Sequence, residues 1–118
     1  MVPRRKKQVP DPPNKCPLTE CLSVIGGAWT PNIIWYLSKN PRRFSELKND
    51  IVGISAKMLT ERLKRLVADN VACRTVMPTS PPTVEYSLTD LGYELKPAIE
   101  AIASVGHRIK QYRGEKMD

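Results

Sequence analysis

The sequence predicts a mainly α fold with one small β-hairpin: a winged helix-turn-helix with extra N- and C-terminal dimerisation helices. Three observations predict it. Apolar residues recur at helical spacing in five separate stretches. Two β-rich, roughly alternating runs, "VACRTVM" and "TVEYSL", flank the rigid turn "PTSPP". Before them, two helices are joined by a tight turn containing Gly53, as a helix-turn-helix requires.

Each element can be justified in order. Residues 1–15 hold four of the eleven prolines and the basic cluster Arg4, Arg5, Lys6 and Lys7, so a flexible basic tail is expected there. The domain proper is expected over 16–118. Leu18, Leu22 and Ile25 fall at i, i+4, i+7, a short amphipathic helix closed by Gly26 and Gly27. Thr30 as N-cap and Pro31 in the first turn open the next helix, which Asn40-Pro41 stops. Trp29 and Trp35 read as core aromatics. Ser45, behind Phe44, is expected to cap a helix of about two turns. Ser55 caps a longer one, running to about Asp69. In the hairpin, Val71, Cys73, Thr75 and Met77 are expected to share one face. Thr89 caps a final helix over about 89–112, with a kink near Pro97. In it Leu91, Leu95, Ala98, Ile102, Val105, Ile109 and Tyr112 step by 4 and 3, a heptad seam suited to a second copy of the chain. Leu18 and Leu22 join Leu95, Ala98, Ile102, Val105 and Ile109 as the expected dimer interface.

Composition narrows the function classes. A chain of 118 residues with 41% hydrophobic and 26% charged residues suits one modest core with little room for an enclosed active site. No apolar run approaches a membrane span and no apolar stretch follows the basic N-terminus, so a cytoplasmic protein without a secretory signal is expected. The net charge is +7. Residues 39–74 carry nine basic and four acidic residues, an excess of +5 that points to a polyanionic partner. Three cysteines argue against a disulfide framework. No metal-ligand spacing is present and His107 stands alone, so neither metal nor cofactor is expected. No nucleophile–base pair or Gly-rich phosphate loop suggests an enzyme.

The polar side of the 55–69 helix carries the functional reading. Leu59, Leu63, Leu66 and Val67, joined by Ala56, form its apolar side. Lys57, Thr60, Glu61 and Lys64 lie opposite, and Met58, Arg62 and Arg65 flank one edge. A helix fits the major groove, and the N-terminal half of the second helix reaches furthest into it. Ser55, Lys57, Met58, Thr60 and Glu61 are therefore the candidates for base edges, and Arg62, Lys64 and Arg65 for phosphates. Glu61 has two readings, a cytosine amino group or an ion pair with Arg65. Arg42, Arg43, Ser45 and Lys48 surround the first helix of the motif and suit backbone phosphates. Arg74 on the hairpin, and Thr79 and Ser80 at its tip, complete the set. Double-stranded DNA and a second copy of the chain are thus the expected partners. A winged-helix adaptor for other proteins, without specific DNA binding, is the alternative.

"CPLTECLSVIGGAWTPNIIWYL", "PRRFSELKNDIVGISAKMLTERLKRL" and "PPTVEYSLTDLGYEL" together resemble the HxlR family of bacterial winged helix-turn-helix transcription regulators, in the MarR-like superfamily. The resemblance runs from Cys16 to about Gly106. It implies a homodimer, held by its first and last helices, that binds a roughly palindromic operator. It also implies a sensing cysteine in some members. Cys16 matches that position, with an oxidant, an electrophile or another small molecule as inducer. Lys15 and the helix start after Cys16 would favour its thiolate. A purely structural Cys16 is the alternative, Cys73 reads as inert core, and Cys21 is left open. The chain departs from the family pattern at Ala28, often basic, and at Pro31, often aliphatic. Neither position belongs to the DNA-reading face.

Overall fold

The computed structural model describes residues 16–114, so the basic tail expected over 1–15 lies outside the described residues. Helix α1 spans Pro17–Ile25 and α2 spans Thr30–Leu37. A two-residue strand β1, Arg42–Arg43, leads into α3, Phe44–Asp50, and then α4, Ala56–Ala68. Strands β2, Ala72–Met77, and β3, Thr83–Leu88, form the hairpin. Two further helices follow, α5 over Asp90–Glu94 and α6 over Lys96–Tyr112.

The core forms where the apolar stripes of these elements converge. Ile33, Ile34, Leu37, Leu47, Leu59, Leu63, Leu66 and Val71 are fully buried. Ile99 joins them and seats α6 against the bundle. Trp29 and Trp35 are half-buried and pack against this core rather than within it. Shared burial, more than helix propensity, holds such short helices in place. At its C-terminal end α1 closes as expected, with the Gly26 N–H on the Leu22 carbonyl at 2.8 Å.

Two expected caps are realised and two are replaced. Ser55 Oγ accepts from the Met58 N–H at 3.0 Å, and Thr89 Oγ1 accepts from the Gly92 N–H at 3.0 Å. Thr30, by contrast, is already the first residue of α2. Trp29 stands at its N-cap with φ 73° and contributes no side-chain hydrogen bond. Ser45 likewise lies within the first turn of α3. Arg43 occupies the N-cap there, and Glu46 Oε1 accepts the Arg43 N–H at 2.8 Å. Glu46 thus caps from inside the helix by accepting the N–H of the N-cap residue itself, where Ser45 was expected to accept an N–H of the first turn.

The sheet has three antiparallel strands in the order β1-β3-β2, one more than expected. Arg42 faces Tyr86, and Tyr86 faces Arg74 on its other side. A two-residue strand carries no periodicity of its own, so only pairing with β3 reveals it. Cys73, Thr75 and Met77 alternate onto one face of β2, as expected, but that face is not buried in the bundle. Val71 and Ala72 are both buried where the chain enters the sheet, and Cys73 through Val76 are exposed. Cys73 is therefore a surface thiol and not inert core. Only the base of the wing reaches the bundle.

The single last helix expected over 89–112 is two helices. It breaks at Leu95, just before Pro97, where a proline suits a first turn rather than a kinked interior. The heptad seam is continuous only within α6. Gly92 in α5 is required by close approach, since a Cβ there would collide with the Val71 carbonyl oxygen.

Candidate nucleic-acid interface

The buried face of α4 fixes which of its side chains are free. With Leu59, Leu63 and Leu66 held in the core, Ala56, Lys57, Thr60, Glu61 and Lys64 line one continuous shallow groove on the outer surface. All five are exposed. Ala56, expected on the apolar side, is the small residue at the start of this groove. The Thr60 hydroxyl donates to the Ala56 carbonyl at 2.8 Å, so it meets a ligand as an acceptor. Ser55 has spent an acceptor position on the Met58 N–H, and its O–H remains free to donate.

The flanking edge of α4 is turned toward α1 and α2. Met58 is half-buried against the core. Arg62 Nε donates to the Ala28 carbonyl at 2.9 Å. Arg65 Nη2 lies 3.4 Å from the Ser23 carbonyl, and its Nε is 3.6 Å from Asp69 Oδ2. Arg65 thus pairs one turn further on, and the Glu61–Arg65 ion pair is not formed. Arg62 and Arg65 thus have a bracing contact that the expectation of phosphate ligands did not include: they tie α4 to α1 and the α1–α2 junction.

The cations around α3 divide in the same way. Arg42 Nη1 donates to Asp50 Oδ2 at 2.9 Å in a partly buried pair, and its Nε is buried without a partner. Arg42 is consequently a fastener between β1 and the end of α3, not a free phosphate ligand. Arg43 and Ser45 are exposed at the start of α3, and Lys48 is half-buried in its last turn. Arg74 is exposed on β2. At the wing tip Thr79 Oγ1 donates to the Pro81 carbonyl at 2.7 Å and sits 3.3 Å from Thr83 Oγ1, so its hydroxyl closes the turn. Ser80 beside it is exposed.

Sequence reasoning missed a link between sheet and helix. The Arg42–Tyr86–Arg74 row brings two arginines to either side of one tyrosine. Cross-strand register creates that row, and the sequence separation of these residues hides it. Lys39, placed 4.1 Å over the Trp35 ring, was also not anticipated; cation–π contact, not free solvent, holds it.

Cys16 occupies the N-cap position of α1 and is exposed. Its side chain accepts no capping hydrogen bond from the helix in the resting thiol form. The Thr19 backbone N–H, then the Thr19 side chain and the Leu18 N–H, favour the thiolate and hold its pKa below the ordinary thiol value. The cause is the helix start, as expected. Cys21 is half-buried on the same helix and packs against the core. Among the described residues no cluster of potential metal ligands occurs, and no helix is long and apolar enough to cross a membrane.

A short first helix packed through its buried face, a capped second helix with a free polar ridge, and a three-stranded wing define a transcriptional regulator of the helix-turn-helix type. Residues 24–113 match the family of HxlR-like helix-turn-helix proteins, and the chain belongs to that family. It is 44% identical over 91 residues to the HTH-type transcriptional regulator BH0655 of Halalkalibacterium halodurans, covering 76% of this chain and 80% of that protein. Among solved structures, it resembles the redox regulator HypR in its reduced form with a TM-score of 0.78 at 32% identity, over 86% of this chain and 100% of that one. The reduced form of the transcriptional regulator YodB from B. subtilis matches with a TM-score of 0.68 at 38% identity, over 75% of this chain and 88% of that one. The family is one of regulators, not enzymes.

Proposed function

We propose that this regulator binds an operator in double-stranded DNA as a homodimer in the cytoplasm, at the nucleoid, with α4 in the major groove. The observation that carries the reading is the exposed ridge Lys57–Thr60–Glu61–Lys64 on a helix whose opposite face is fully buried. Two long donors, Lys57 and Lys64, and two acceptors, Thr60 and Glu61, on a rigid helix suit base edges in that groove. Ser55 adds a donor at the helix start. Arg43, Ser45, Lys48, Arg74 and Ser80 flank the ridge and suit phosphates, which fix register and not sequence. Glu61, free of Arg65, is left to accept from a cytosine amino group.

The second copy is supported by an apolar stripe on α6. Ile102, Val105 and Ile109 are 48%, 44% and 43% exposed, and on α1 Leu18 and Leu22 are 67% and 51% exposed. Side chains of this kind, spaced along a helix, gain by mutual burial. Leu95 and Ala98 are half-buried and lie at the margin of this face. A dimer then presents two α4 helices to successive major-groove faces, roughly 34 Å apart. The lowered pKa and exposure of Cys16, and the likeness to HypR and YodB, support thiol chemistry at Cys16 as the signal that modulates DNA binding.

The test is footprinting of the promoter beside the protein's own gene, with and without diamide. A symmetric protected site that Lys57→Ala with Lys64→Ala abolishes is the expected result. Ile102→Asp with Val105→Asp should give a monomer in sedimentation and lose the footprint. A diamide response that persists in Cys16→Ser would remove the thiol role from that residue.

A further inference from the structure

The outer groove of α4 is lined by two kinds of side chain. Lys57, Glu61 and Lys64 are long and charged, whereas Ala56 and Thr60, at i and i+4 on one face, are short. All five are exposed. The Thr60 hydroxyl is turned back on the Ala56 carbonyl at 2.8 Å. That bond selects one rotamer of a β-branched side chain and leaves the methyl as its free end. The Ala56 side chain is itself a methyl. Two methyl groups one turn apart therefore stand at the floor of the groove, between charged side chains at its rim. The long side chains can swing to reach many groups. The short ones cannot, so they decide what comes close to the helix.

We propose that Ala56 and Thr60 set sequence preference by enclosing the C5-methyl of one thymine in each half-site. In the major groove every base edge offers nitrogen or oxygen, and thymine alone adds a methyl group. A cytosine in its place sets an amino donor against two methyls, away from water and without an acceptor. A purine brings its N7 to the same carbon surface. Lys57, next to Ala56 in the chain, supplies a donor for the thymine O4 beside the methyl. Glu61 and Lys64 are then left for the neighbouring base pairs and the backbone. The assignment makes Ala56 a reading residue, although it carries no polar group. It rests on the reading that α4 enters the major groove and names what the centre of that helix selects.

The experiment lets the full chain select its site from a pool of random duplexes. Affinity is then measured by fluorescence anisotropy. Each thymine of one half-site is replaced in turn by deoxyuridine, which removes the methyl and nothing else. The expected result is one position at which the replacement weakens binding about fourfold, the worth of one buried methyl group. Ala56→Gly and Thr60→Ser should each bind the thymine duplex more weakly and cut that penalty to below about twofold, the mark of a direct pair in a double-mutant cycle. Thr60→Ser keeps the hydroxyl that bonds the Ala56 carbonyl, so it leaves the helix intact. Both variants should respond to deoxyuridine elsewhere as the parent does. A selected site with no methyl-sensitive thymine, or a penalty that both variants leave unchanged, would overturn the proposal and leave the DNA reading standing. A pool that yields no shared sequence would sink both.

Discussion

The Nε of Arg62 donates a 2.9 Å hydrogen bond to the carbonyl oxygen of Ala28, 34 residues earlier in the chain. Helix α4 is thereby tied to the turn between α1 and α2 by a residue that looks, on a helical wheel, like a phosphate ligand. The bond satisfies a loop carbonyl and links α4 to the turn after α1.

Arg62→Ala should therefore behave as a positioning variant. We expect a loss of about 1–2 kcal/mol in urea unfolding, the usual range for a charged donor on a carbonyl at a partly exposed site. DNA affinity should fall while its salt dependence stays unchanged. A salt slope reduced by one phosphate's worth would show instead that Arg62 contacts the backbone.

Lys57→Ala and Lys64→Ala should show the opposite pattern. Both side chains are exposed and lack an ion-pair partner among the described residues. Fold stability should stay within about 0.5 kcal/mol of the parent. If Lys64 meets a phosphate, its removal lowers the slope of log affinity against log salt by about 1, whereas loss of a base contact at Lys57 relaxes sequence preference. Filter binding across a salt series on matched and scrambled operators separates the two.

Asp50→Asn should destabilise the fold out of proportion to its exposure. Arg42 is partly buried, bonds Asp50 at 2.9 Å, and keeps a second nitrogen buried without a partner. Removing the carboxylate charge leaves that guanidinium poorly compensated, at a cost of about 1–3 kcal/mol. The double change Arg42→Met with Asp50→Asn should recover part of the loss. Chemical denaturation of the two variants and the parent decides it, and equal stability of single and double variants would rule the pair out as a fastener.

Cys16 should alkylate with a lower pH midpoint in the folded chain than in the unfolded one. Its pKa is lowered by donors of the folded helix. The thiolate's contribution to stability is therefore present above the unfolded thiol pKa and is lost as pH falls through the lowered one. Thr19→Val removes only the side-chain contribution, which ranks behind the Thr19 N–H, so the midpoint should rise part of the way. Iodoacetamide rates from pH 6 to 10, read by mass spectrometry, test both statements. A Cys16 midpoint no lower than that of the same residue in the urea-unfolded chain would contradict them.

Local signals were legible where one residue type carries one job. Ser55 and Thr89 cap the helices expected of them because a short hydroxyl before an apolar run has few other uses. Ser45 failed because Arg43, extended in its pairing with β3, became the N-cap, so the helix began two residues sooner and Glu46 supplied the cap. Cys73 failed because alternation says which residues share a face of a strand, but not whether that face meets the bundle.

The sequence by itself determined the order of the first four helices and the hairpin, the excess of positive charge and the free ridge of α4. These follow from periodicity, caps and charge, which act over a few residues. Tertiary structure decided which cations are available. Arg42 and Arg62 are drawn inward by Asp50 and the Ala28 carbonyl, while Lys57, Lys64 and Arg74 remain outside. It also joined β1 to the wing. The physical reason is common to all of these. A long cationic side chain goes wherever a carbonyl or carboxylate needs a donor, and partners 8 or 34 residues away become neighbours only once the core has closed.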